Sequence, residues 1–207
     1  MTPPPTPRTT RTTRTTRTTR NRRADARRSR TSILDGAIRL LNDRPDASVE
    51  AIAAAAGVTR QTVYAHFPSR EQLLTAVLDR LTERTVAAMA AADPDSGPPA
   101  EALLRVLDAA EQTAGAYPAL VRLLGTLPVS PPDDAERHAP VTALLERVVR
   151  RGQASGDFDD RLPTDWLVTA TIALAHAASE QVEGGRLSPR QARDTLRISV
   201  LRLLGAE

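Results

Sequence analysis

An all-α protein is what this chain predicts, and three observations predict it. Apolar residues recur at helical spacing through most of its 207 residues. Ala, Leu, Arg and Glu dominate, with few glycines and no long β-branched runs. Prolines sit where first helical turns are expected, at Pro118, Pro140, Pro163 and Pro189, where proline costs no hydrogen bond. The length allows one large or two small domains. Hydrophobic residues make up 41% and aromatics 2%, so the core is aliphatic.

Composition also excludes chemistry. Without cysteine there is no disulfide, thiol nucleophile or Cys-ligated zinc. His66, His138 and His176 are far apart in sequence and lack a helical His partner at metal spacing. No Gly-rich phosphate loop or nucleophile elbow occurs, so we expect no enzyme, no bound metal and no cofactor. No apolar run reaches the length of a bilayer span, and no signal-peptide core follows the N-terminal charges. The expectation is a soluble, cytoplasmic protein with no membrane partner.

The net charge of +3 hides an asymmetry. Residues 1–30 hold ten Arg and one acid, Asp25, and the remainder is net negative. All 28 basic residues are Arg. Residues 1–24 read as a disordered Arg/Thr-rich tail, because nothing in them can bury surface. Two readings stay open: a basic arm that binds phosphates or the minor groove, or an inert tail.

A first helix is expected from about Ala24 or Ala26 to Asn42, with Ile33, Ala37, Leu40 and Leu41 as its apolar stripe. Arg27, Arg28 and Arg30 crowd its start, where the helix dipole disfavours cations, so phosphate contact suits them better than a stabilising role. Ser48 caps the next helix. Val49, Ile52, Ala53 and Ala56 form its inner face, and Gly57 ends it. Thr59 caps a third helix with Thr62, Val63 and Phe67 inward. Pro68 stops it, and Ser69, Glu71 and Gln72 start a fourth. Two short helices joined by a Gly-containing turn form a helix-turn-helix pattern. The outer face of the second holds Arg60, Gln61, Tyr64 and His66, side chains that reach base edges and phosphates.

These residues carry a family likeness. Ala53, Ala56, Gly57, Val58, Thr59, Thr62, Val63, Tyr64, His66, Phe67, Ser69, Arg70, Glu71, Leu73 and Leu74 stand in the order of the tetracycline-repressor (TetR) signature. The stretch from about Ile33 to Val77 resembles that family's DNA-binding module. Members usually carry a glycine between the first two helices. This chain has Asn42 to Asp46 there, and Asn or Asp can also supply a left-handed residue.

Helix 4 continues to about Ala91 through Leu73, Leu74, Val77, Leu78, Leu81 and Val86. The linker Asp93 to Pro99 ends it. Beyond lie helices at about 100–115, 118–126, 140–155, 163–183 and 188–204, with Thr126 to Ala139 as a long polar loop. Gly152 and Gly156 weaken or cap the middle one. The domains expected are the tail, 1–24; a DNA-binding domain, 25–72; and a helical ligand-binding and dimerisation domain, 73–207.

The resemblance implies a homodimer on double-stranded DNA, joined through the last two helices and released by an unknown small-molecule inducer. It implies DNA contacts from Ser48, Thr59, Arg60, Gln61, Thr62, Tyr64, His66 and Arg70, with Ser48 and Arg70 on phosphates. Tyr117, Trp166 and His176 are candidates to line the inducer pocket. The expected function is repression from a palindromic operator. The alternative is a sequence-tolerant architectural DNA binder led by the Arg arm.

Overall fold

The computed structural model describes residues 13–128 and 130–206. Those residues form an all-α protein without strands. Its helices are α1 (Thr13–Asp43), α2 (Val49–Ala55), α3 (Arg60–His66), α4 (Arg70–Ala91), α5 (Pro99–Gly115), α6 (Pro118–Leu124), α7 (Pro131–Ser155), α8 (Thr164–Glu183) and α9 (Pro189–Leu203).

The helices close around two apolar cores. The first gathers Ile33, Ala37, Ile38 and Leu41 of α1, Ile52 of α2, Val63 of α3 and Leu73, Leu74, Val77 and Leu81 of α4. It also takes Leu120 and Leu124 of α6, so α6 packs with the N-terminal helices although it lies late in the chain. The second core joins Met89 of α4 to Leu103 and Val106 of α5, Leu145 and Val148 of α7, Leu167 and Val168 of α8 and Val200 of α9. Each fully buried Leu or Ile contributes about 1.5–3 kcal/mol. The long helix α4 therefore has one end in each core.

Arginines hold the loops. Arg70 donates to the carbonyls of Ala47 and Pro45, which fixes the α1–α2 loop. Arg105 donates to the carbonyls of Ala92, Asp93 and Ser96, and Arg151 to those of Pro94 and Gly97. Together they fasten the α4–α5 corner. A planar fork of five donors suits this work, because it can bridge carbonyls from successive turns of the backbone.

Four expectations are corrected here. Helix α1 begins at Thr13, so residues 13–24 are helical rather than part of a disordered tail. No proline or glycine interrupts the chain between Pro7 and Gly36, and arginine is a good helix former. The rest of the proposed arm, residues 1–12, lies outside the described residues.

The α1–α2 loop contains no left-handed residue. Asn42 stays helical, and the turn closes through the Arg44 N–H to the Leu40 carbonyl and the Ala47 N–H to the Arg44 carbonyl. The Asn42 side chain is used across the molecule. Its Oδ1 accepts from the amides of Ala119 and Leu120, at 3.2 and 3.4 Å. Helix α6 has no side-chain cap of its own, so a residue of α1 supplies it.

The polar stretch before Pro140 is helix and not loop, since α7 starts at Pro131. Ser130 caps it by accepting from the Asp133 amide, and Pro140 lies inside it. Gly152 serves packing: a Cβ there would come within 2.1 Å of the Phe158 ring, which folds over α7.

Trp166 does not face inward with Leu167. It is 58% exposed on the outer side of α8, and Ile198 is 52% exposed on α9. Among the described residues no helix is long and apolar enough to cross a membrane.

Candidate nucleic-acid interface

Helices α2 and α3 owe their sharp ends to local chemistry. Ser48 Oγ accepts from the Ala51 amide at 3.2 Å. Gly57 adopts φ +67, the left-handed conformation the turn requires. Thr59 Oγ1 accepts from the Thr62 amide at 3.1 Å and meets the Thr62 hydroxyl at 2.8 Å. Val63 and Phe67 are buried, which pins the inner face of α3 to the first core. The opposite face has one orientation left, toward solvent.

That face carries Arg60, Gln61 and Tyr64, all exposed. Arg60 is held on two sides. Its Nη1 lies 2.5 Å from Glu50 Oε1 of α2, and its guanidinium carbon stands 5.3 Å from the centre of the Tyr64 ring. The adjacent Tyr64 side chain and then the charge of Glu50 raise the Arg60 pKa. A backbone hydrogen bond in the first turn of α2, and after it the Arg60 charge, hold the Glu50 carboxyl below its ordinary range. His66 sits in the last turn, partly buried, with its ring 6.2 Å from that of Phe67.

The predicted contact residues thus separate by what their side chains already do. Ser48, Thr59 and Thr62 are occupied in capping. Arg70 is turned into the α1–α2 loop, where its carbonyl partners draw it away from a phosphate-facing posture. Nearby, Arg28 pairs with Asp25, and Arg30 lies over Phe67 at 5.3 Å. Glu50 was missed by the sequence reading. Its signal was faint: an acid in the first turn of α2, ten residues ahead of the arginine it meets.

The three pocket candidates do not converge. Tyr117 packs beside the first core at the start of α6, Trp166 faces outward, and His176 is exposed. Spacing along one helix could not show which side the second core would leave open. The His176 ring instead meets that of His138 edge-on, with centroids 5.9 Å apart. Among the described residues no group of three or more His, Asp or Glu could hold a metal ion.

Residues 33–77 match the family model described as bacterial regulatory proteins, tetR family. The HTH-type transcriptional repressor LfrR of Mycolicibacterium smegmatis is 46% identical over 81 residues, 39% of this chain and 43% of LfrR. The HTH-type transcriptional regulator EthR of Mycobacterium tuberculosis is 46% identical over 55 residues, 26% of each chain. These sequence matches span less than half the length of either relative. The solved structure of LfrR in complex with proflavine superposes with a TM-score of 0.55 at 28% identity, over 84% of this chain and 95% of LfrR. FadR of Bacillus halodurans, a fatty acid degradation regulator, shares the fold with a TM-score of 0.68 at 18% identity, over 86% of this chain and 98% of FadR.

Proposed function

The chain belongs to the TetR family of bacterial regulatory proteins, and on that footing we propose that it is a homodimeric repressor, bound to a palindromic operator and released by a small molecule. The observation that carries this reading is the outer face of α3. Caps fix both ends of the helix-turn-helix, the inner face is buried, and Arg60, Gln61 and Tyr64 remain outward. Arginine pairs bidentately with guanine and glutamine with adenine in the major groove. Thr59 and His66 flank that face and would lie against the adjoining backbone.

Two-fold half-sites call for a two-fold protein. The exposed Trp166 and Ile198 on neighbouring α8 and α9 support a dimer through that face. Small residues along α8, Ala173 and Ala177, leave room for a second copy to approach.

Release follows from the shared helix. A ligand in the second domain would act by favouring one of two postures of α4, and only to the extent of its differential affinity for them. LfrR was solved with proflavine, so proflavine is the first inducer to try here. The site of action of such a protein is the cytoplasm, with the DNA.

The test is a DNase footprint on DNA flanking the protein's own gene, with non-specific competitor present. The expected result is a protected palindrome whose protection fades as proflavine is titrated. Diffuse protection abolished by competitor would replace this reading with the architectural one. A palindrome unaffected by proflavine would keep the repressor and discard that inducer.

A further inference from the structure

The pairing of Glu50 with Arg60 has no evident use in holding the fold. Both side chains are more than half exposed, at 52% and 60%. Ion pairs in that setting add little to stability. As a first-turn acid, Glu50 suits its helix dipole, a role that does not require a partner on α3. On a surface that meets phosphates, a carboxylate weakens binding to every DNA sequence alike. Its benefit has to lie in what it does to its partner.

The geometry around Arg60 supplies that benefit. A free arginine at the start of a recognition helix has several rotatable bonds and reaches phosphates as readily as bases. Here one edge of the guanidinium faces Glu50 and one face lies against Tyr64. What is left is a planar fork with fixed direction. Such a fork matches the paired acceptors of guanine and loses little freedom on binding. An arginine already engaged with a carboxylate is also a poorer partner for a phosphate.

We infer that Glu50 is a specificity-determining residue: it fixes Arg60 against Tyr64 in a base-reading posture and withholds it from the DNA backbone. The inference rests on the DNA-reading function proposed above. Glu50 touches no base in this scheme. It is a positioning residue, acting through Arg60.

The test uses the full chain and selection from random duplex DNA, for the wild type, E50Q, R60A and the E50Q/R60A double variant. R60A should erase the base preference at one position in each half-site and so identify what Arg60 reads. At that position E50Q should keep the same preferred base with discrimination reduced about threefold to fivefold, the most that an exposed ion pair can supply. Non-specific affinity should rise, and the dependence on salt should steepen by up to about 0.9 per subunit, the signature of one further phosphate neutralised. In the R60A background, E50Q should change that position no further.

A merely structural role for Glu50 would shift thermal stability and leave the base preference alone. Discrimination unchanged in E50Q would overturn the inference and leave the repressor reading standing. So would an R60A variant that erases no position. A wild type that selects no motif would overturn that reading and the inference together.

Discussion

Around Ile52 and Val63 the apolar side chains close on one another, and what faces outward is Arg60, Gln61 and Glu50. Around Leu167 and Val200 the core is as closed on its inner side, yet the helices above it carry Trp166 and Ile198 more than half exposed. The first region finishes its burial within one chain, and its polar surface is free to address a charged polymer. The second stops short. Trp166 and Ile198 are the side chains that the dimer proposed above would cover.

The sharpest way to break this contrast is at the incomplete face. Trp166→Glu with Ile198→Glu should give a monomer in sedimentation velocity at micromolar concentration. Affinity for a palindrome should drop about 1000-fold, toward the level of non-specific binding. A dimer that survives both charges would move the interface elsewhere.

The next test compares the interiors. Ile52→Ala and Leu167→Ala each remove a fully buried side chain, at a cost of about 2–5 kcal/mol. Because α4 enters both cores, each variant should still unfold in urea as one transition, moved to lower concentration. A split transition in Ile52→Ala alone would mean that the two regions fold separately.

The smallest effect expected is at the seam. Asn42→Ala leaves the Ala119 and Leu120 amides without their acceptor, which should cost about 1–2 kcal/mol. Hydrogen exchange at those two amides should accelerate well before the rest of α6. Unchanged protection there would show that packing of Leu120 and Leu124 alone keeps α6 in place.

The same contrast governs what could be read from the residues alone. In the first region the local signals agree with the fold: Ser48 and Thr59 cap, Gly57 turns left-handed, and Val63 and Phe67 go inward. Each of those outcomes is decided within four residues, so short-range chemistry suffices. What spacing does not show there is long-range: Arg70 reaches the Ala47 carbonyl 23 residues away, and such a partner leaves no trace in the pattern. The seat of α6 was illegible for the same reason, since its cap comes from Asn42.

In the second region even helix limits depended on context. The run from Pro131 to Ala139 is polar and starts with two prolines, which reads as loop, yet Ser130 caps it and the helix continues through Pro140. Trp166 and Leu167 adjoin in sequence, yet one is more than half exposed and the other fully buried. Helical periodicity names a stripe of apolar residues; it does not say which edge of the stripe a neighbouring helix will cover.

The arginines that fasten the loops have one further consequence. Arg70, Arg105 and Arg151 each span two or three carbonyls with one planar fork, a geometry the single ammonium of a lysine would not reproduce. The chain likewise offers no lysine ε-amine. Acetylation, the usual covalent means of removing a positive charge from a side chain, has no lysine on which to act. That means of lowering positive charge is closed to this sequence.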